Sequence, residues 1–231
     1  FETQFSDDEY VSNPYLVVNQ LRNDVGRKRF ITSGKLKYNI TSWLYAQGRV
    51  GYDLSNDRTF SVTPWGTAYS QGRAGGLNSI GKSERSELNV DALIGGNRKL
   101  VGDLSLDFAV GASLLKRQFE AVSTGGGPFV LPYLYSPSNV LNFNRGYDFN
   151  KSEFFSVYYT FFFSYKNFLT IGTTGRYDAY STLPSGNNTI FVPSVTASFI
   201  FSELVKINAI SFGKLRVSYA QTSNELVDAY Q

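Results

Sequence analysis

Hydrophobic and polar residues alternate one by one along several stretches of the chain. In the segment 104–114, leucine, phenylalanine, valine and alanine fill the even positions, whereas serine, aspartate, alanine and glycine fill the odd ones. Because successive side chains of a strand point to opposite faces, this pattern predicts a strand with one apolar and one polar face. Similar patterns predict eight strands, at 30–40, 44–53, 86–95, 104–118, 153–165, 168–180, 193–201 and 214–221.

The connections between these predicted strands alternate in length. The short connections are 41–43, 96–103 and 166–167, and the long ones are 54–85, 119–152 and 181–192. Short periplasmic turns alternating with long external loops are typical of outer-membrane barrels. The predicted fold class is therefore all-β, a transmembrane antiparallel β-barrel to which this chain contributes about eight strands.

Composition is compatible with this fold. Hydrophobic residues make up 42% of the chain and the mean hydropathy is −0.20, with no run of about 20 apolar residues that would form a membrane-spanning helix. Barrel strands need only about 9–11 residues each to cross the bilayer. Aromatic residues gather at the predicted strand ends, which suggests two interfacial girdles. They are Tyr38, Trp43, Tyr165, Phe168, Phe201 and Phe212 near the turns, and Tyr52, Phe119, Phe154, Tyr177 and Tyr180 near the loops.

One predicted strand departs from the alternation. The segment 153–165 is a nearly continuous run of aromatic and aliphatic residues. Both of its faces are then apolar, so its inner face is expected to meet a packed plug or to form the aromatic wall of a ligand site. Inward charges on the strands are able to steer solutes, but the favoured interpretation is that they pair across the wall or anchor a plug. They are Lys35, Lys37, Arg49, Asp91, Asp107, Arg176 and Arg216.

Absent residue types limit the chemistry. The chain has no cysteine and no histidine, which excludes disulfides, thiol nucleophiles and imidazole bases. No compact group of acidic residues suggests catalysis. We therefore expect a protein that is not an enzyme and that uses no cofactor or metal ion. The net charge of +3 comes from dispersed residues, so no nucleic-acid-binding surface is indicated.

Several strings resemble one transporter family when they are taken together and in order. The earlier strings occupy residues 13–17, 27–30, 36–44 and 48–53, and the later ones occupy 193–199, 210–224 and 230–231. They resemble the SusC/RagA family of TonB-linked outer-membrane transporters. The resemblance implies a barrel of about 22 strands, which imports oligosaccharides or peptides with energy from TonB. It also implies a SusD-like surface lipoprotein as partner.

This resemblance implies that residues 1–231 form a partial barrel domain of the TonB-dependent-receptor type, embedded in the outer-membrane lipid. The plug domain, the TonB-contact segment and the remaining strands are expected to lie outside this sequence. Two other classes stay open at this point. One is a passive porin or a small structural barrel, and the other is a soluble carbohydrate-binding β-sandwich.

The long connections contain the candidate substrate-binding residues. Aromatic faces beside amide and guanidinium donors are able to hold a sugar or a peptide by stacking and hydrogen bonding. The interpretation favoured over ligand binding is that these connections fold on themselves or touch a partner protein. The candidates are Trp65, Tyr69, Arg73, Phe129, Tyr133, Tyr135, Asn142, Asn144 and Arg145.

Overall fold

The computed structural model describes residues 11, 13–166, 168–205 and 211–223. It contains one short helix, α1 (Pro14–Asn19), and eight strands. The strands are β1 (Arg22–Asn39), β2 (Leu44–Thr63), β3 (Gly76–Lys99), β4 (Leu104–Phe129), β5 (Val140–Tyr165), β6 (Leu169–Tyr180), β7 (Thr189–Phe199) and β8 (Leu215–Ala220). The predicted all-β fold class is confirmed.

All eight strands belong to one antiparallel sheet in the order in which they occur along the chain. Among the described residues, β1 and β8 are its two edges. A β-sandwich needs a second sheet to cover its apolar face, and every described strand lies in this one sheet. The single-sheet topology therefore argues against the sandwich alternative.

Helix α1 has a well-defined start. The side chain of Asn13 accepts a hydrogen bond from the backbone N–H of Tyr15 at 2.9 Å, and Pro14 occupies the first turn. Both residues suit these positions, since an asparagine cap satisfies a free N–H and proline has none to satisfy. None of the described helices is long and apolar enough to cross a membrane.

Several strands are much longer than the alternation predicts. Strands β4 and β5 contain 26 residues each and β3 contains 24. The regions predicted as the loops 54–85 and 119–152 consequently shrink to 64–75 and 130–139. Those loop boundaries were wrong for two reasons. Residues 76–85 are polar on both faces, which removes the period-two signal, whereas the alternation within 141–149 was present in the sequence and was missed.

The chain divides into two compact units, each assembled from several separate stretches of sequence. The first consists of the described residues within Phe1–Phe30, Asp53–Ser86 and Gln118–Asn150, and we call it the loop unit. The second consists of those within Ile31–Tyr52, Glu87–Arg117 and Lys151–Gln231, and we call it the band unit.

The loop unit has a small core of its own. Val62, Leu77 and Phe129 are buried there, and Trp65 and Tyr135 pack against them. The rings of Phe129 and Tyr135 lie 5.3 Å apart between centroids. This core explains why the connections 64–75 and 130–139 fold against the sheet instead of extending from it.

Candidate functional site

One face of the band unit carries an apolar band. The rings of Phe108 and Phe161 are stacked with centroids 6.3 Å apart, so these two residues share a face. Strand alternation then places the even residues of β4 and the odd residues of β5 on this surface, which we call the apolar face. On β4 the band runs from Leu104 to Leu114, the length of strand that crosses a bilayer core, about 9–11 residues.

Charges end this band at the next position along β4 and β5. Lys116 follows Leu114 on the apolar face, and its Nζ lies 3.2 Å from Oε1 of Glu153. The same carboxylate oxygen lies 3.3 Å from Nζ of Lys151. The change from apolar side chains to an ion-paired cluster therefore takes place within one step of the strand alternation.

The opposite face of the same strands is built from specific polar contacts. The hydroxyl of Tyr158 on β5 donates a hydrogen bond to Oδ2 of Asp91 on β3 at 2.8 Å. It reaches across β4 at Gly111, where an added Cβ would lie 2.6 Å from Cζ of the tyrosine ring. Only glycine leaves room for this ring. We call the surface that carries Asp91, Gly111 and Tyr158 the polar face.

A second polar cluster centres on Arg176 of β6. Its Nε donates to Oδ1 of Asp178 at 2.6 Å, and its Nη2 donates to Oγ of Ser156 at 2.9 Å. The guanidinium carbon also lies 5.0 Å from the centroid of the Phe154 ring. In the register of β5 and β6, Ser156 pairs with Asp178 and Phe154 pairs with Tyr180. The arginine side chain therefore extends over these two pairs.

Burial and pairing fix the position of this guanidinium. The Asp178 side chain is only 8% exposed, and Ser156 is fully buried. A buried carboxylate is tolerated when it is paired and hydrogen-bonded. The arginine is thus held by two buried partners and an aromatic ring.

A cavity of about 250 Å³ opens beside this cluster, and we call it the Arg176 cavity. Arg117 also lines it, and its Nε donates to Oε2 of Glu87 at 3.0 Å. The walls combine two guanidinium groups with aromatic and aliphatic surface. The lining includes Leu115, Arg117, Phe154, Arg176, Asp178 and Tyr180.

The long apolar run of β5 is explained by these contacts. Its odd residues, such as Phe155 and Val157, lie on the apolar face, whereas the even residues Phe154, Tyr158 and Phe162 lie on the polar face. The ring of Phe162 covers Gly172 of β6. That this inner face meets a packed plug or forms the aromatic wall of a ligand site stays a prediction.

Two residues of the predicted aromatic girdle are placed differently by the structure. Phe154 and Tyr180 contact each other on the polar face, with ring centroids 4.8 Å apart, so they are not part of a lipid-facing belt. Sequence reasoning missed their role in the Arg176 cavity. The available signal lay in the even positions of this segment, where aromatic residues alternate with Ser156, Thr160 and Ser164.

The predicted loop candidates fall into separate groups. Trp65, Phe129 and Tyr135 come together in or against the small core of the loop unit, where Phe129 is 3% exposed. Burial raises the pKa of the Tyr135 hydroxyl. Tyr69 and Tyr133 are exposed in the connections, so they do not join this core.

The other candidates lie on short turns or on β5. Arg73 ends a 3-10 turn, while Asn142, Asn144 and Arg145 belong to β5. The guanidinium of Arg145 lies 5.0 Å from the ring of Phe143. Substrate binding by these loop residues therefore stays a prediction.

Ion pairs join β1 and β2 in the loop unit. Nε and Nη2 of Arg27 donate to the two carboxylate oxygens of Asp57, each at 2.7 Å. Arg29 makes the same kind of paired contact with Asp53. Hydrogen bonding to Arg27 lowers the pKa of Asp57. Among the described residues, no group of three or more acidic, histidine or cysteine side chains is arranged to hold a metal ion.

Comparison with known proteins finds no matching protein family and no matching curated protein. Solved structures do match. The chain is similar to a chain of the RagAB peptide importer in the 'closed-closed' state, with a TM-score of 0.81, 15% identity and 95% of this chain covered. Structures of the RagAB peptide transporter and of the 'open-open' importer give TM-scores of 0.78 and 0.76 at 16% identity, covering 95% and 91% of this chain.

The similarity is one of fold. This chain covers 25% of the first two matched chains and 24% of the third. It therefore spans about a quarter of the length of the chains that it matches.

Proposed function

We propose that this chain is part of the wall of an outer-membrane β-barrel transporter of the SusC type, which imports peptides or oligosaccharides. In this role the apolar face contacts lipid and the polar face lines the interior of the barrel. The plug domain and the remaining strands belong to other parts of the same protein. The imported solute passes along the polar face.

The observation that carries this proposal is the contrast between the two faces of the band unit. The apolar band from Leu104 to Leu114 has the length of a bilayer core and ends at the Lys116–Glu153 ion pair. The opposite face of the same strands buries hydrogen-bonded groups such as Asp91 and Ser156. A wall between hydrocarbon and a polar interior requires both properties.

The resemblance to the SusC/RagA family and the fold of the RagAB peptide importer support import over other uses of such a wall. We extend the proposal to energy from TonB and to a SusD-like surface lipoprotein as partner. Peptide is the first substrate class to test, because the matched structures are described as peptide importers.

The first test is extraction of the native protein from outer membranes in detergent, followed by measurement of its intact mass. A single polypeptide several times heavier than 25.8 kDa is expected. A native mass near 25.8 kDa would contradict the importer and indicate a small self-contained barrel.

Uptake measurements separate the importer from a passive porin. Cells that express the native protein are supplied with labelled peptides or oligosaccharides, with and without a functional TonB. The proposal predicts uptake that stops when TonB is deleted. Uptake that continues unchanged without TonB would indicate a passive porin instead.

A further inference from the structure

We propose that the Arg176 cavity binds the carboxylate group of the imported solute, either the C-terminus of a peptide or an acidic sugar unit. This inference rests on the proposed transport function and adds a chemical preference to it.

The lining is positive on balance. Two guanidinium groups, those of Arg117 and Arg176, and one carboxylate, that of Asp178, belong to the lining, while Glu87 pairs with Arg117 from outside it. Asp178 is already bound by Arg176 and is almost fully buried. Its position is that of a buried partner that orients the arginine, so the charged groups offered to a solute are guanidinium N–H donors.

Both arginines keep donors for a ligand. A guanidinium has five N–H donors. Arg176 uses Nε for Asp178 and one N–H of Nη2 for Ser156, while Arg117 uses Nε for Glu87. Among the described residues, no other hydrogen bonds from these two side chains are found. The remaining N–H groups are suited to the paired acceptors of a carboxylate.

The volume of the cavity suits the end of a peptide or oligosaccharide solute. Its volume of about 250 Å³ lies below the roughly 300–1,000 Å³ of pockets that enclose whole small ligands. It has room for a carboxylate and one adjacent side chain or sugar ring. The faces of Phe154 and Tyr180 provide an apolar surface for that adjacent group.

Arg176 is also prepared for binding before any ligand arrives. The buried Ser156 and Asp178 hold its guanidinium, and Phe154 lies against it. Little side-chain freedom is then lost on binding, which favours affinity.

The test uses the native full-length protein in detergent and two matched pairs of probes. The first pair is an acetylated pentapeptide with a free C-terminal carboxylate and the same peptide as its C-terminal amide. The second is an oligogalacturonate and its methyl ester. Calorimetry gives the affinity for each probe, and uptake by cells is measured in parallel.

We expect the charged member of at least one pair to bind about tenfold more tightly than its neutral partner, the effect of one charge-assisted hydrogen-bonded contact. A preference within the peptide pair identifies peptide carboxylates as the ligand. A preference within the sugar pair identifies acidic oligosaccharides. Equal affinities within both pairs would overturn the inference while the transport proposal stands.

Two variants locate the effect. Arg117→Gln leaves the Arg176 cluster intact, and the double variant Arg176→Gln with Asp178→Asn avoids a buried unpaired carboxylate. Each is expected to remove most of the preference for the charged probe.

The matched control is Arg216→Gln. Arg216 pairs with Ser198, which pairs with Thr170 of β6, so it lies on the same polar face as Arg176 but does not line the cavity. It should keep the preference. If the control variant also lost the preference for the charged probe, the preference would come from the overall positive charge of the polar face. That result would overturn the assignment to the cavity.

Failure of the transport proposal has a different signature. A native protein that neither binds nor takes up any of the four probes would contradict the proposed function, and the carboxylate preference would fall with it. Binding and uptake without discrimination between partners would contradict the carboxylate site alone.

Discussion

The two faces of the band unit differ in how their side chains are held. On the apolar face, residues such as Val110 and Phe155 are exposed. On the polar face, Asp91 and Asp178 are buried and have defined hydrogen-bond partners. The same strands are therefore subject to two different sequence requirements. The apolar face requires hydrophobicity, whereas the polar face requires particular residues.

The strongest test of this contrast is a charge placed on the apolar face. Val110→Arg should destabilise the inserted protein by about 2–4 kcal/mol, because a charged side chain near the bilayer midplane loses its hydration. The measurement is the free energy of unfolding in lipid vesicles by urea titration.

The control for this charge is Asp107→Arg on the polar face. Asp107 is exposed and accepts one hydrogen bond, from Asn97 at 3.1 Å. Replacing Asp107 should change the free energy of unfolding only slightly. Equal losses of stability for the two variants would reverse or remove the assignment of the faces.

A methyl group added at Gly111 should also be costly. Its Cβ would lie 2.6 Å from the Tyr158 ring and 2.8 Å from the backbone oxygen of Ala92. Gly111→Ala should therefore destabilise the protein by about 1–3 kcal/mol through overpacking, as measured by the same titration.

Gly48→Ala is the matched substitution on the opposite face. Gly48 lines an apolar-face groove with Tyr38 and Ile94, and nothing lies within 4 Å of its added Cβ. It should leave stability nearly unchanged. A loss of stability as large as that of Gly111→Ala would mean that glycine is needed for backbone conformation at both sites. It would then not be needed at Gly111 to make room for the Tyr158 ring.

The tyrosine hydroxyl gives a finer comparison between neighbouring residues. Tyr158→Phe removes the donor to the buried Asp91 and should cost about 1–3 kcal/mol, the penalty of an unsatisfied buried acceptor. Tyr159→Phe on the apolar face should have a smaller effect, because its ring contact with Phe161 at 5.5 Å is kept. Similar losses for both variants would show that the Asp91 contact contributes little.

The smallest expected effect concerns pH and the loop unit. Hydrogen bonding to Arg27 lowers the pKa of Asp57 below its ordinary value of 3.8. A lowered folded-state pKa adds stability that is present above the unfolded value and is lost as the pH falls through the folded value. Hydrogen exchange at the β1–β2 pairing should therefore accelerate as the pH is lowered below about 4, after correction for intrinsic exchange rates.

Asp57→Asn is the control for this pH effect. It should remove that part of the acceleration and leave the rest of the exchange profile unchanged. An identical pH profile in the variant would show that the Arg27–Asp57 pair does not stabilise this end of the hairpin.

Sequence patterns predicted the band unit better than the loop unit. The period-two alternation of residues 104–114 correctly predicted a two-faced strand, and the order of eight strands was correct. Strand segments in the loop unit, such as 76–85 and 119–129, were predicted as loop. Residues 76–85 are polar on both sides and 119–129 are rich in glycine and small residues, so hydrophobic periodicity carries little information there.

The candidate site was only partly accessible to the sequence. Arg176 was recognised as an inward charge, but its ionic partner is Asp178 of the same strand, and its contact across strands is the uncharged hydroxyl of Ser156. The cavity beside it was not predicted. It requires Arg117 of β4 and Phe154 of β5 to lie together, and these residues are distant along the chain.

The sequence by itself determined which strands exist, their order and the chemistry of their two faces, because alternation is a local property of each segment. Only the tertiary structure decided which residues meet across strands. The tyrosine that fills the space over Gly111, the buried partners of Arg176 and the lengths of β3 to β5 depend on register. Register is set jointly by the hydrophobic pattern and the geometry of the connections, and the side chains that it brings together, such as Tyr158 and Asp91, are far apart in the chain.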